Sequence, residues 1–294
     1  MWAHKTNIYK LCPYKYIMVY HEVRIKGNHS YNYIIHNARE DGKWKKKSKF
    51  IGNGRLSKKK IEEIKNKFNA YLSKGGKSLD ENFREWFFTE LTYNSNSIEG
   101  NSMSLEETNL VVNENIAPEG KTLREINEAK NHIKALEFIK NYKGDFSEEF
   151  VLKLHSIILK DISERFSGKY RQTQVRIFGS DVKFPNSEKV PQLIKNLIYW
   201  YKKNKKKYHQ FELATLVSMK FVTIHPFIDG NGRVSRLIMN FLLQKRNYPW
   251  INIYTKQREQ YIKSVRKAND EDYSSIIPFL MNSLKENLKD FGFY

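Results

Sequence analysis

One stretch, IHPFIDGNGRVSRLIMN at 224–240, constrains the fold of this chain more than any other. It closes ELATLVSMKFVTI, an apolar run that reads as a buried helix. Pro226 disfavours a helical backbone at His225, so the run breaks there into a loop. Asp229-Gly230-Asn231-Gly232 can follow a sharply turned backbone. From Arg233 the helical spacing resumes, with Val234, Leu237, Ile238, Phe241 and Leu242 on one apolar face. The tetrapeptide Gly-Asn-Gly-Arg is not itself the signal, because it occurs twice. The copy at Gly52–Arg55 has Lys47 and Ile51 where the copy at Gly230–Arg233 has His225 and Asp229.

The surrounding segments predict a mostly α chain. DENFREWFFTELTYNS places Phe83, Trp86, Phe87 and Leu91 on one stripe, giving a helix over about 80–99. Ser104 in SLEE and Thr122 in TLRE have the Ser/Thr-x-x-Glu spacing of a capping box. Further helices are predicted near 148–162, 190–204, 209–222, 232–246, 257–269 and 273–289. The exception is YRQTQVRIFGSDVKFP, where Val175, Ile177 and a Gly179-Ser180 turn predict a short β-hairpin. Earlier in the chain, YKYIMVYHEVRIKG, SYNYIIHNARED and GKWKKKSKFIG predict three antiparallel strands, the last following a turn at Asp41-Gly42. Ile61, Ile64, Phe68 and Leu72 then lie at helical spacing, with Ser57 as N-cap and Gly75 as a stop. The expected division is a basic sheet-plus-helix module over 1–78 and a helical domain over 79–294.

Composition narrows the function classes. The single cysteine, Cys12, excludes an internal disulfide framework and a cysteine-based zinc site. The first 16 residues hold no apolar stretch of signal-peptide length, and no run reaches the roughly 18–20 apolar residues of a membrane span. The expected location is the cytoplasm, without membrane contact. The net charge of +20 is uneven: residues 1–80 hold 19 Lys+Arg against 6 Asp+Glu. Such a block, with Tyr31, Tyr33 and Trp44 interleaved, suits nucleic acid or another polyanion. A lysine-rich surface accounts for it equally well. No coiled-coil heptad marks an interface for a homo-oligomer.

The loop suggests a chemistry. Glycines running into a helix N-terminus make an anion site, through free amide groups and the helix dipole. Arg233 and Arg236 are three residues apart and project from neighbouring positions, which suits a polyphosphate. Asp229 beside a phosphate would be repulsive unless a divalent cation lay between them. One carboxylate plus phosphate oxygens and waters is the usual way a protein binds Mg²⁺. His225 is then the candidate general base. The inferred reaction transfers part of a Mg-nucleotide to an acceptor whose proton His225 removes.

His225-Pro226-Phe227-Ile228-Asp229-Gly230-Asn231-Gly232-Arg233-Val234-Ser235-Arg236 resembles the full signature of the Fic family, H-P-F-x-[D/E]-G-N-G-R-x-x-R, with no departure. The likeness runs from about residue 85 to the end. It implies transfer of AMP from ATP to a Ser, Thr or Tyr hydroxyl of a target protein. By resemblance His225 is the base, Phe227 anchors the loop and Asp229 holds Mg²⁺. Residues Gly230, Asn231, Gly232, Arg233, Val234, Ser235 and Arg236 form the nucleotide site. The Asn231 side chain assists the phosphates there, and Arg236 lies nearest the γ-phosphate. Tyr261 and Asn269 match positions lining the nucleoside pocket. The hairpin, through Val175, Ile177, Phe178, Gly179 and Ser180, would pair with the target backbone by strand addition.

NSNSIEGN at 94–101 resembles the family's inhibitory motif, [S/T]-x-x-x-E-[G/N], through Ser95, Glu99 and Gly100. Its place before the core is the arrangement called class II. It implies that Glu99 pairs with Arg236 and occupies the γ-phosphate position. Two other readings stay open. The same residues could remove AMP from a modified protein, or the domain could be the sensor or scaffold of a nucleic-acid-binding regulator.

Overall fold

The computed structural model describes residues 19–26, 29–40, 43–53, 66, 77–176 and 182–290. The chain divides into two compact units, Met1–Asn66 and Lys67–Tyr294. In the first, β1 (Val19–Lys26), β2 (His29–Glu40) and β3 (Lys43–Asn53) form an antiparallel sheet in the order β1-β2-β3. Val19 pairs with His36 and Glu40 with Lys43, with a register shift at Asn32/Tyr33. The turn at Asp41-Gly42 and, apart from Asn66, the expected helix from Ser57 to Gly75 lie outside the described residues.

The second unit is mostly helical, with nine α-helices and no strand among its described residues. They are α1 (Lys77–Ile98), α2 (Leu105–Val112), α3 (Leu123–Asn141), α4 (Glu148–Ile158) and α5 (Val190–Asn204), followed by α6 (Gln210–Ile224), α7 (Asn231–Gln244), α8 (Arg258–Asn269) and α9 (Ile276–Asp290). Both capping boxes close. The Ser104 hydroxyl accepts the Glu107 N–H while Glu107 accepts the Ser104 N–H, and Thr122 and Glu125 do the same at α3. Each reciprocal pair satisfies two amides that a helix start leaves without partners. The prediction for α4 overran by four residues. The Asn131 amide, reaching from α3, donates to the carbonyls of Ile158 (3.3 Å) and Lys160, which draws them out of the helical ladder. Asp161 then takes a left-handed φ of 57°.

Helices α6 and α7 are the centre of this unit and pack on each other more extensively than any other pair of the described helices. Ser218 and Ser235 lock them through hydroxyls that lie 2.8 Å apart and also reach each other's carbonyls. Phe241 of α7 stacks on Phe150 of α4, with ring centroids 4.2 Å apart, and Phe138 and Tyr142 extend that aromatic cluster. Among the described residues no helix is long and apolar enough to cross a membrane. The expected hairpin is not seen as strands. Residues 171–176 and 182–186 run as irregular chain, joined where the Gln174 amide donates to the Phe184 carbonyl (2.9 Å) and where Arg171 donates to the Pro185 carbonyl. Val175 is half-buried, and Ile177, Phe178, Gly179 and Ser180 lie outside the described residues.

Candidate active site

The break between α6 and α7 is built by residues on both sides of it. His225 caps α6 in a left-handed conformation, φ 50° and ψ 60°, which is uncommon for a residue with a Cβ. Arg171 holds it there. Its Nε donates to the His225 carbonyl (2.8 Å), its backbone N–H to the Pro226 carbonyl (2.9 Å), and its other nitrogens to Thr173 and Pro185. Phe227 is fully buried, with its ring 3.6 Å from a parallel His155 and flanked by Tyr170 and Phe221. Phe227→Ala should therefore lower stability by about 3–5 kcal/mol, read as a shift in the denaturant midpoint. The Asn231 amide is turned back on the loop, accepting from the Phe227 N–H (3.0 Å) and donating to its carbonyl (2.8 Å). Both ends of that side chain thus brace the loop.

Gly230, at φ 80°, starts α7, and a side chain there would press on Ile158, Leu159 and His155. The next amides belong to the first turn of α7, where the helix itself supplies no acceptors. Val234 and Ser235 are fully buried against α6, so their side chains belong to the core and any part in the expected nucleotide site falls to their backbone. The helical period turns them inward, while Gly232, Arg233 and Arg236 border the loop.

Two ion-pair groups line the phosphate side. Arg236 is 6% exposed, and Ser95 holds it through the hydroxyl (3.0 Å) and the carbonyl (2.8 Å). Its remaining terminal nitrogen meets Glu99 Oε1 at 2.8 Å. The Glu99 carboxylate also lies against Gly232, so close that any side chain at that position would overlap Oε1. So a carboxylate rests at the mouth of the helix, where an anion would bind. Gly100, at φ 102°, turns the chain away after it. In the second group Asp229 meets Arg124 (Nη2, 2.5 Å) and Arg233 (3.1 Å), and Glu128 meets the same two arginines at 3.3 and 3.2 Å. Two guanidinium groups therefore alternate with two carboxylates here, beside the separate pair of Arg236 and Glu99. Burial alone would raise the Asp229 carboxyl, but Arg233, the Gly230 amide and Arg124 outweigh it and hold the pKa below its usual value.

Three histidines lie near the loop, and their partners separate their roles. His155 accepts the Gly168 N–H at Nδ1 (3.0 Å) and donates from Nε2 to the Asp229 carbonyl (3.1 Å), so both nitrogens are engaged. His132 shares a hydrogen bond with Thr92 (3.0 Å) in the core. His225 donates from Nδ1 to the Val222 carbonyl (3.3 Å), which leaves Nε2 with its lone pair, and its ring stacks on Phe184 at 4.0 Å. Burial pushes all three pKa values down, to about 3 for His132 and about 4 for His155 and His225. The sign of the linkage follows. Unfolding returns these rings to about 6.5, so below that pH the unfolded chain binds more protons. Their contribution to stability is complete above about pH 6.5 and is lost as pH falls toward 4. The slope is up to about 1.4 kcal/mol per pH unit for each ring. Thermal melts from pH 7.5 to 4.5 should show Tm falling most steeply below pH 6.5.

Of the remaining expected residues, Tyr261 is buried, with the Arg236 guanidinium 5.9 Å from its ring centre. Asn269 ends α8 and accepts from the Thr223 hydroxyl (2.9 Å), just ahead of His225. A cavity of about 250 Å³ lies at the opposite end of α7, bordered by Lys143, Asp145, Tyr201 and Lys245, and does not adjoin the loop. Among the described residues no group of three or more His, Cys, Asp or Glu could hold a metal by itself. The half-exposed Asp229 does fit an ion that takes most of its oxygens from phosphate and water. Arg124, Glu128, Arg171 and His155 were not singled out from the sequence. Arg124 lies within TLRE, whose spacing signals only a helix cap.

A histidine at a helix break, followed by a glycine-bearing helix start and two arginines, is the arrangement the helical unit brings together. Residues 145–243 match the Fic/DOC family. The chain is 32% identical over 209 residues to a protein adenylyltransferase Fic of Drosophila grimshawi, covering 70% of this chain and 43% of that one. A protein adenylyltransferase Fic of Nematostella vectensis is 32% identical over 226 residues, covering 75% and 52%. The chain thus spans about half the length of the curated relatives it matches. A Fic-domain-containing signalling protein from Bacteroides thetaiotaomicron superposes with a TM-score of 0.71 at 25% identity, covering 78% of this chain and 94% of that one. Residues 145–243 thus form a Fic/DOC family domain within the chain.

Proposed function

We propose that this chain is a protein adenylyltransferase, in which a target hydroxyl attacks the α-phosphorus of Mg-ATP, AMP is transferred to it and pyrophosphate leaves, and that Glu99 restrains it. The activity rests on the likeness to relatives named adenylyltransferases and on the disposition of His225. The restraint rests on one observation: Glu99 bonds Arg236 at 2.8 Å while its carboxylate covers Gly232 at the start of α7. A nucleotide whose terminal phosphate needs Arg236 must first displace Glu99.

In this reading the α7 amides and Arg236 hold the phosphates, and Arg233 steadies Asp229. Asp229 would hold Mg²⁺, which neutralises phosphate charge and polarises the phosphoryl group. His225 takes the proton of the acceptor hydroxyl at Nε2, and the Val222 carbonyl fixes the tautomer from the other side of the ring. Arriving phosphates bring negative charge close to the imidazole, which raises its proton affinity from the resting value.

The test is transfer of label from α-labelled ATP with Mg²⁺, first to the protein itself and then to a lysate. It compares wild type, Glu99→Gly and Glu99→Gly/His225→Ala. Labelling by Glu99→Gly alone supports the proposal, and no labelling by any of the three removes it. The charge of residues 1–80 favours one addition, a module that brings the enzyme to a nucleic-acid-associated target. Binding of that kind weakens steeply with salt.

A further inference from the structure

We infer that Arg124 is the resident counter-ion of Asp229 and must be displaced before a divalent cation can bind there. The inference rests on the proposed role of Asp229 as the metal carboxylate. Both oxygens of Asp229 already have donors. Oδ1 takes the Gly230 N–H and Arg233 Nη2, and Oδ2 takes Arg124 Nη2. A magnesium ion must sit about 2.0–2.1 Å from a ligand oxygen. A dication on Oδ2 would stand within a few ångströms of the Arg124 guanidinium, and their repulsion makes the two compete for the one carboxylate.

The two arginines are not equally able to leave. The Arg233 side chain is 2% exposed and also pairs with Glu128 at 3.2 Å, so it stays. The Arg124 side chain is 58% exposed and retains only the Glu128 contact at 3.3 Å when Asp229 is withdrawn. Arg124 is therefore the movable member. Glu128 keeps it close, and Glu128 is itself fixed by the Asn101 amide at 2.9 Å. Asn101 follows Glu99-Gly100 directly, so one short segment braces both internal ion pairs. The resting site is then closed twice: by Glu99 on Arg236, and by Arg124 on Asp229.

The test reads binding rather than turnover. In a Glu99→Gly background, calorimetry gives the affinity for the non-hydrolysable analogue AMP-PNP with and without Mg²⁺, and the ratio reports the metal's contribution. Arg124→Gln should raise that ratio about two- to fivefold, the scale of an exposed ion pair. Asp229→Asn should abolish the magnesium gain. Lys121→Gln, which removes the same charge three residues away, should leave it unchanged. If Asp229→Asn loses the gain while Arg124→Gln matches its parent, the inference fails and the metal reading stands. If Asp229→Asn keeps the gain, both fail. An increase from Lys121→Gln equal to that from Arg124→Gln would assign the effect to bulk charge and overturn the inference.

Discussion

With Glu99 replaced by glycine, His225→Ala is expected to slow AMP transfer about 100- to 10,000-fold, the usual contribution of a positioned general base. No neighbouring histidine can substitute for it, since both nitrogens of His155 are engaged and His132 is bonded to Thr92 in the core. The loss should appear in the rate of a single turnover; the Arg171 contacts are to backbone carbonyls that alanine retains, while the ring's stack on Phe184 is lost, so a melt of the same variant accompanies the rate. With the resting pKa at about 4, kcat/KM should be level from pH 8 to pH 6 and carry no histidine limb there. A double variant that labels as fast as Glu99→Gly would remove His225 from the mechanism.

The second large effect is the release itself. Glu99→Gly should raise self-labelling about 100-fold, the scale on which misplacing a substrate by about 1 Å reduces rate. The reason lies in how Arg236 is held. Its two hydrogen bonds to Ser95, on the hydroxyl and the carbonyl, survive the substitution. The guanidinium therefore stays in place and presents one vacated donor to the space above Gly232. Stability should fall at the same time, because Arg236 is buried and loses its carboxylate. Breaking a fully buried pair costs about 3–5 kcal/mol, and the loss here should be smaller, since the Glu99 side chain is 37% exposed. Melting and labelling measured on one preparation separate these effects. A variant that is less stable yet no more active would show that Glu99 braces the fold without restraining the enzyme.

How much of this could be read from the sequence depended on the range of each interaction. Helix α5 spans the predicted 190–204, because its apolar spacing and the proline in its first turn are local signals. The loop and the partnership of Glu99 with Arg236 came from a long motif and a short one that each carry their own spacing. The contacts of Arg124 and Arg171 did not. Arg124 meets Asp229 across 105 positions and Arg171 meets His225 across 54, and neither leaves a period in the sequence. Asn131 shortened α4 for the same reason, by capping it from another helix. Val234 and Ser235 show the opposite limit. They belong to the motif as written, yet the helical period directs them into the core.

The pairing of Arg124, Arg233 and Arg236 with Glu99, Glu128 and Asp229 also bears on how a nucleotide would find the site. Within these ion pairs opposite charges lie a few ångströms apart and largely offset one another, so they add little to the attraction that a chain with a net charge of +20 exerts. A polyanion is then drawn to the protein at large and gains little guidance toward this mouth, where capture waits on the opening of internal ion pairs. Arrival would be governed by the protein's own breathing rather than by electrostatic attraction.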